Sequence, residues 1–171
     1  MSLFVPDFVF DDFYSITPEF LKGNGIFAIV SDIDNTLVTY DDEKPTLRVL
    51  SWLESLKSAD IKISFVSNNS HERVRIFNES LGFFAVGKSG KPFKKNVLYA
   101  IEYMNVPKEN VCMLGDQIFT DVFAGQNAGI KTILVPPIKD RTDILTRSKR
   151  ILEIPFLKKF RKKHKNAGFY K

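Results

Sequence analysis

Four short stretches of this 171-residue chain place acids, hydroxyls and an amine where apolar runs end. Asp32-Ile33-Asp34-Asn35-Thr36 follows the run Ile26-Phe27-Ala28-Ile29-Val30. Two carboxylates two residues apart behind a buried run are costly unless a cation or hydrogen bonds compensate them. Ser67-Asn68-Asn69 follows Ile61 to Val66, and Gly115-Asp116-Gln117 follows Val111 to Leu114, with Asp121 five residues beyond Asp116. Lys91-Pro92 stands before a helical stretch. Brought together, these groups make an oxygen-only site with one ammonium and neither thiol nor imidazole. Such a site suits Mg²⁺, which is held by one or two carboxylates plus waters and substrate phosphate oxygens. Each stretch also has a plain structural reading. Asp34-Asn35-Thr36 fits a turn, Ser67 to Ser70 fits a helix cap, and Lys88, Lys91, Lys94 and Lys95 fit a solvated face. Convergence of all four is what would make them a site.

Convergence depends on the elements between them. Residues 26–30, 61–66, 83–86, 111–114 and 130–135 read as five short strands, the first of them continuous in apolar character as a parallel strand covered on both faces is. Between them, helical spacing runs over Thr46–Ala59 (Leu47, Leu50, Leu53 and Leu56, with Val49 and Trp52), over 74–81 stopped at Gly82, over 93–104 before Pro107, and over 120–128 closed by Gly129. Regular alternation with short connections predicts an α/β fold, a doubly wound parallel sheet built from right-handed crossovers. In such sheets ligands bind beyond the carboxyl ends of the strands, where the strand order reverses. All four stretches then fall on one edge.

Asp32-x-Asp34-x-Thr36, Ser67 after the second strand, Lys91 before a helix and Gly115-Asp116-x-x-x-x-Asp121 resemble the four motifs of the haloacid dehalogenase-like (HAD) phosphatase superfamily. Gly115 to Asp121, with Asn127, Gly129 and Thr132 to Val135, is similar to the class IIIA branch, which includes phosphatidylglycerophosphate phosphatases. The resemblance covers roughly residues 20–140. It implies a Rossmann-like five-stranded sheet of order 5-4-1-2-3. It also implies Asp32 as the nucleophile that carries an aspartyl-phosphate and Asp34 as the general acid and base. Mg²⁺ would be bound by Asp32, the Asp34 main-chain carbonyl and Asp116. Thr36, Ser67, Asn68 and Lys91 are expected as the substrate-binding residues, with Ser67 and Lys91 on the phosphoryl oxygens. Thr36 is expected to hold the loop and the Asp34 side chain, and Asp121 to orient Lys91 or the metal waters from behind. Lys88 and Lys94 are alternative candidates for the role of Lys91. Cys112, mid-strand, is expected to be inert core, and His71 to lie at the surface near a helix cap.

Thr36 and Ser67 are 31 positions apart and Ser67 and Lys91 are 24 apart. Neither interval has room for a cap domain, so the site is expected to open to solvent and to admit a phosphate mounted on something large. A phosphorylated lipid headgroup such as phosphatidylglycerophosphate fits that description. A soluble sugar or nucleotide phosphate is the enzymatic alternative. A non-catalytic RNA- or protein-binding HAD-fold protein is a second class, disfavoured because nothing would then maintain buried, repelling carboxylates. A receiver-type phospho-acceptor domain is disfavoured as well, because Phe83 to Val86 leads to Gly87-Lys88 without a carboxylate.

Composition sets the remaining limits. At 44% hydrophobic and 26% charged residues, with 16 Phe, the chain has material for one sizeable core. One Cys and two distant His exclude a disulfide framework and a Cys or His metal cluster. No run approaches the ~18 apolar residues of a membrane span, and the expected location is the cytoplasm. The formal charge of +5 is unevenly distributed: residues 1–138 carry 13 Lys+Arg against 17 Asp+Glu, residues 139–171 carry 12 against 3. The chain divides into an aromatic N-terminal segment (1–24) on or near the core, a catalytic core (25–140) and a basic, partly helical tail (141–171). Residues 156–165 place Phe156, Leu157 and Phe160 on one helical face among cations. That pattern suits peripheral contact with an anionic membrane at its inner face. A solvated tail fits the same residues, as does RNA, which is not favoured.

Overall fold

Short, continuous apolar segments pair edge to edge because each is too hydrophobic to face water on either side. The result in the computed structural model, which describes residues 3–139 and residues 155, 156, 158 and 160, is a sheet of six parallel strands. The strands are β1 (Phe8–Val9), β2 (Ala28–Ser31), β3 (Lys62–Val66), β4 (Ala85–Val86), β5 (Val111–Gly115) and β6 (Lys131–Leu134), in the spatial order β1-β6-β5-β2-β3-β4. The helices are α1 (Pro18–Gly23), α2 (Leu47–Ser58), α3 (His71–Asn78), α4 (Lys95–Met104) and α5 (Phe123–Ala128).

Alternate strand residues feed two cores. Ile29, Ile63, Phe65, Cys112, Leu114 and Ile133 pack against α2, α3 and the N-terminal Phe10, Phe13 and Ile16. Ala28, Val30, Val66, Val111 and Met113 pack against α4 and α5. The central strand β2 pairs with β3 on one side and β5 on the other, Ala28 lying opposite both Lys62 and Val111. From β2 the chain runs outward through β3 to β4, then returns to the other side for β5 and β6. The order therefore reverses between β2 and β5, which is the crevice where such sheets bind ligands.

The five strands predicted from the sequence stand in the predicted order, and a sixth extends it. β1 arises from the aromatic segment, which shows no clean period, and pairs with β6 through Phe8 opposite Ile133. Asp7 fixes this join: its carboxylate accepts from the backbone N–H (2.9 Å) and hydroxyl (3.0 Å) of Thr132. Helix α2 forms where the spacing places it, and only part of its apolar set is buried. Val49, Trp52, Leu53 and Leu56 are buried, whereas Leu47 is 86% exposed and Leu50 39%. The sheet-facing arc is set by Trp52, whose indole N–H donates to the Ile16 carbonyl at 3.0 Å. That arc leaves the first turn of the helix outside. The predicted helix 120–128 is divided into a π-helical turn over Ile118–Val122 and α5.

Cys112 is fully buried, and burial raises its thiol pKa. His71 is exposed at the start of α3. Phe156 packs on Phe4 and Phe119, with ring centroids 5.3 and 5.8 Å away. Most of the stretch 156–165, on which the expectation of membrane contact falls, lies outside the described residues. Among the described residues no helix is long and apolar enough to cross a membrane.

Candidate active site

The ladder of β2 continues one residue past the strand, with Asp32 N–H donating to Leu114 O at 2.9 Å. The chain then coils tightly: Thr36 and Leu37 N–H both return to Ile33 O, and Asn35 takes the left-handed conformation (φ 65°) that Asn tolerates. The coil leaves both carboxylates at the edge of the sheet, Asp32 7% and Asp34 4% exposed.

Lys91 arrives from the other side of β2. Asn68 positions it: the Asn68 amide oxygen accepts from Lys91 N–H (2.8 Å) and from the Ser89 hydroxyl (2.8 Å), and its amide nitrogen donates to Lys91 O (3.0 Å). The buried ammonium then meets two carboxylates, Asp32 Oδ1 at 2.9 Å and Asp121 Oδ1 at 2.7 Å. Asp121 comes from the π-helical turn after β5 and accepts Gln117 N–H on its other oxygen at 3.0 Å. Gly115 makes this approach feasible, because a Cβ there would lie 2.3 Å from Asp121 Cβ and Cγ.

Asp116 is buried beside them. Donor oxygens of Asp32, Asp116 and Asp121 all lie within 4.8 Å of one another. Three clustered carboxylates against one ammonium leave an excess of two negative charges when all are ionised. Hard oxygen donors with that excess fit one divalent cation of the Mg²⁺ class.

Asp34 has separate partners. Arg73 Nε and Nη2 reach its Oδ1 at 3.0 and 2.9 Å, and the Asn69 amide donates to its Oδ2 at 3.0 Å. Thr36 departs from the expectation: its buried hydroxyl donates to Asp116 Oδ1 at 3.3 Å and not to the Asp34 side chain, and Thr36 is not among the residues lining the cavity that Asp32 and Lys91 share. The tight coil turns Thr36 under β2 toward the end of β5. Ser67 Oγ accepts Asn69 N–H at 3.1 Å.

Asp32, Asp34, Ser67, Asn68 and Lys91 share a cavity of about 320 Å³, with Tyr40, Asn69, Gln117 and Thr120 completing its wall. A larger hollow of about 480 Å³ lies beside Thr36, between Tyr14, Arg48 and Pro137, and is lined by neither Lys91 nor Asp32, Asp34, Asp116 or Asp121. Lys88 is exposed and Lys94 is not at the cavity wall, so Lys91 alone of the three enters the acid cluster. Between Thr36 and Ser67 the chain forms only a loop, α2 and β3, and between Ser67 and Lys91 only α3, β4 and their connections, so neither interval carries an inserted domain.

Electrostatics follow from this packing. Burial pushes the Asp32 carboxyl up to about 6, and repulsion from Asp121 adds to it against the attraction of Lys91. Burial opposes the charge on Lys91, but Asp121 and Asp32 together outweigh it and raise its pKa above the ordinary lysine value. In the metal-free protein the Asp32 proton is therefore retained by the folded state after the unfolded chain has lost it. This group's contribution to stability is fully present below about pH 4 and is lost as pH rises through about 6. A divalent cation favours the ionised form, so Mg²⁺ should raise the melting temperature more at about pH 7.5 than at about pH 5. Differential scanning fluorimetry with and without Mg²⁺ checks this; an equal shift at both values would contradict it.

Sequence reasoning missed Tyr40, Arg73 and Thr120 as parts of this site, and it quoted Asn69 and Gln117 in the strand-end stretches without giving them a role. Asn69, Gln117 and Thr120 adjoin predicted strand-end motifs, and that adjacency was the signal available.

Comparison with known proteins agrees with the geometry. The family described as HAD-hydrolase-like matches residues 88–150. "Probable phosphatase YqeG" of Bacillus subtilis (strain 168) is 38% identical over 162 residues, 95% of this chain and 94% of that protein. A HAD-superfamily hydrolase from Ehrlichia chaffeensis superposes with a TM-score of 0.53 at 18% identity, over 77% of this chain and 98% of that one. A Listeria monocytogenes serotype 4b protein does so with 0.55 at 16% identity, over 69% and 85%. The two structures share the fold, and the Bacillus protein matches this chain almost from end to end. With its acids and lysine at the reversal point of that fold, the chain belongs to the HAD-like hydrolase family.

Proposed function

We propose that this HAD-type phosphatase is a Mg²⁺-dependent phosphomonoesterase working through an aspartyl-phosphate on Asp32. The observation that carries the reading is the buried Lys91 held between Asp32 and Asp121 at the base of an open, polar cavity. A phosphate monoester entering there presents its phosphorus to the Asp32 carboxylate. The new Asp32 O–P bond forms as the P–O bond to the leaving alcohol breaks, and Asp34 gives that oxygen its proton. Asp34 then takes a proton from a water, which attacks the aspartyl-phosphate, releases inorganic phosphate and restores Asp32. Ser67 and Lys91 contact the phosphoryl oxygens and stabilise the charge that develops on them. Asn68 holds the Lys91 backbone, while Asp121 holds its ammonium. Asp32, Asp116 and the Asp34 main-chain carbonyl would bind Mg²⁺, which supplies charge neutralisation between the anionic nucleophile and the anionic phosphate.

The proposed substrate carries its phosphate on a large body, in the class of a phosphorylated lipid headgroup such as phosphatidylglycerophosphate. The missing inserted domain and the similarity to class IIIA motifs support this reading, and the basic residues of 156–165 add the charge that an anionic surface attracts. The test is phosphate release from nitrophenyl phosphate, from a soluble sugar phosphate and from phosphatidylglycerophosphate in mixed micelles, each with Mg²⁺ and with a chelator. Turnover should vanish on chelation and be most efficient on the lipid. Turnover that persists with chelator would overturn metal dependence. Preference for the soluble ester would overturn the lipid assignment.

A further inference from the structure

Arg73 is the first-turn residue of α3 whose backbone N–H is capped by Ser70 Oγ at 3.1 Å. Its guanidinium runs back beneath the site, only 13% exposed, and uses every nitrogen. Nε and Nη2 grip Oδ1 of Asp34 at 3.0 and 2.9 Å. Nη1 donates to Glu43 O and Nη2 to Asp42 O, both at 2.7 Å. These two carbonyls belong to the loop joining the Asp34 coil to α2. That loop is itself closed by Asp42, whose carboxylate accepts from the Thr39 hydroxyl (2.6 Å) and Thr39 N–H (3.1 Å). The planar fork of Arg serves two directions at once, which a point-charge ammonium cannot do.

Arg73 does not line the cavity, whereas Asp34 and Asn69 do. The guanidinium grips Asp34 from behind by Oδ1, and Oδ2 meets Asn69 at the cavity wall. We propose that Arg73 is a positioning residue for Asp34. It fixes the rotamer that turns Oδ2 toward the leaving oxygen and ties that rotamer to the placement of residues 39–43, which include the cavity residue Tyr40. The inference rests on the phosphatase reading above and goes beyond it. Part of the proton-transfer geometry then comes from α3, an element that contributes no motif residue.

Loss of proton-transfer geometry has a signature that general loosening lacks. An activated leaving group departs without help, whereas an alkoxide needs its proton, so damage should grow with the basicity of the leaving group. The experiment compares kcat/KM of the full chain and of Arg73→Met and Arg73→Lys on nitrophenyl phosphate and on glycerol phosphate, with Mg²⁺ present. Arg73→Met should lower kcat/KM for glycerol phosphate on the order of 10²-fold more than for nitrophenyl phosphate. Arg73→Lys keeps the charge and guards against loss of fold; it should show the same selectivity in weaker form, its single ammonium failing to span Asp34 and the loop. An equal fall on both esters in the folded variants overturns the assignment of Arg73. A wild-type chain that hydrolyses neither ester strikes instead at the phosphatase reading.

Discussion

Asp32→Asn is expected to abolish phosphate release, by on the order of 10⁴-fold or more, because an amide neither attacks phosphorus nor carries the covalent phosphate. The fold should survive. Asn has nearly the same shape, and the exchange removes a buried charge whose burial and repulsion from Asp121 already push its pKa to about 6. One contact weakens, the 2.9 Å pair with Lys91, but the 2.7 Å pair with Asp121 still neutralises that ammonium. Initial-rate phosphate release, with circular dichroism as a control for folding, checks both halves. Residual turnover of more than about one part in a hundred of wild type would move the nucleophile elsewhere, because removing a covalent nucleophile ordinarily costs far more than that.

Lys91→Met should be the most destabilising change in the site. The ammonium is almost wholly buried and serves two carboxylates, one of them, Asp121, equally inaccessible. Breaking a buried ion pair by deleting one partner typically costs about 3–5 kcal/mol, because the remaining charge has no compensation. Here three acids crowd together, so the loss should lie in that range and shrink at low pH as the carboxylates take up protons. Added Mg²⁺ should return part of the stability by restoring positive charge to the cluster. Urea unfolding at neutral and acidic pH, with and without Mg²⁺, reads all three effects. A loss under about 1 kcal/mol would mean that the cluster holds itself together by hydrogen bonds alone.

The core strands were legible because runs such as Ile26–Val30 and Val111–Leu114 are apolar throughout, a local property that survives without tertiary context. Placing Asp32 and Asp116 on one edge followed from parallelism. β1 was hidden because two residues in an aromatic segment carry no period, and its pairing is decided by Asp7 and Thr132, 125 positions apart. Leu47 and Leu50 share the helical spacing of Leu53 and Leu56, and spacing does not say which of them is buried; the hydrogen bond from Trp52 to Ile16 marks the buried arc, and it leaves Leu47 and Leu50 outside.

In the site, the pairing of Lys91 with Asp121 was anticipated as one of two roles for that acid. The partner of Thr36 was not anticipated, since its hydroxyl reaches across from β2 to the end of β5. Arg73 was illegible for a related reason. A long side chain that ends on main-chain carbonyls of another loop leaves no residue-type pattern to recognise.

The join between β1 and β6 has a further consequence, for the order of assembly. Among the described residues, β1 is made before the other strands and pairs only with β6, which is made after them, with Phe8 opposite Ile133 and Val9 opposite Leu134. During synthesis Phe10 and Phe13 lack the complete surface they cover until Ile133 and Val135 of the same core have been made. A nascent chain halted before β6 should therefore be captured readily by a chaperone. One released just past Val135 should not.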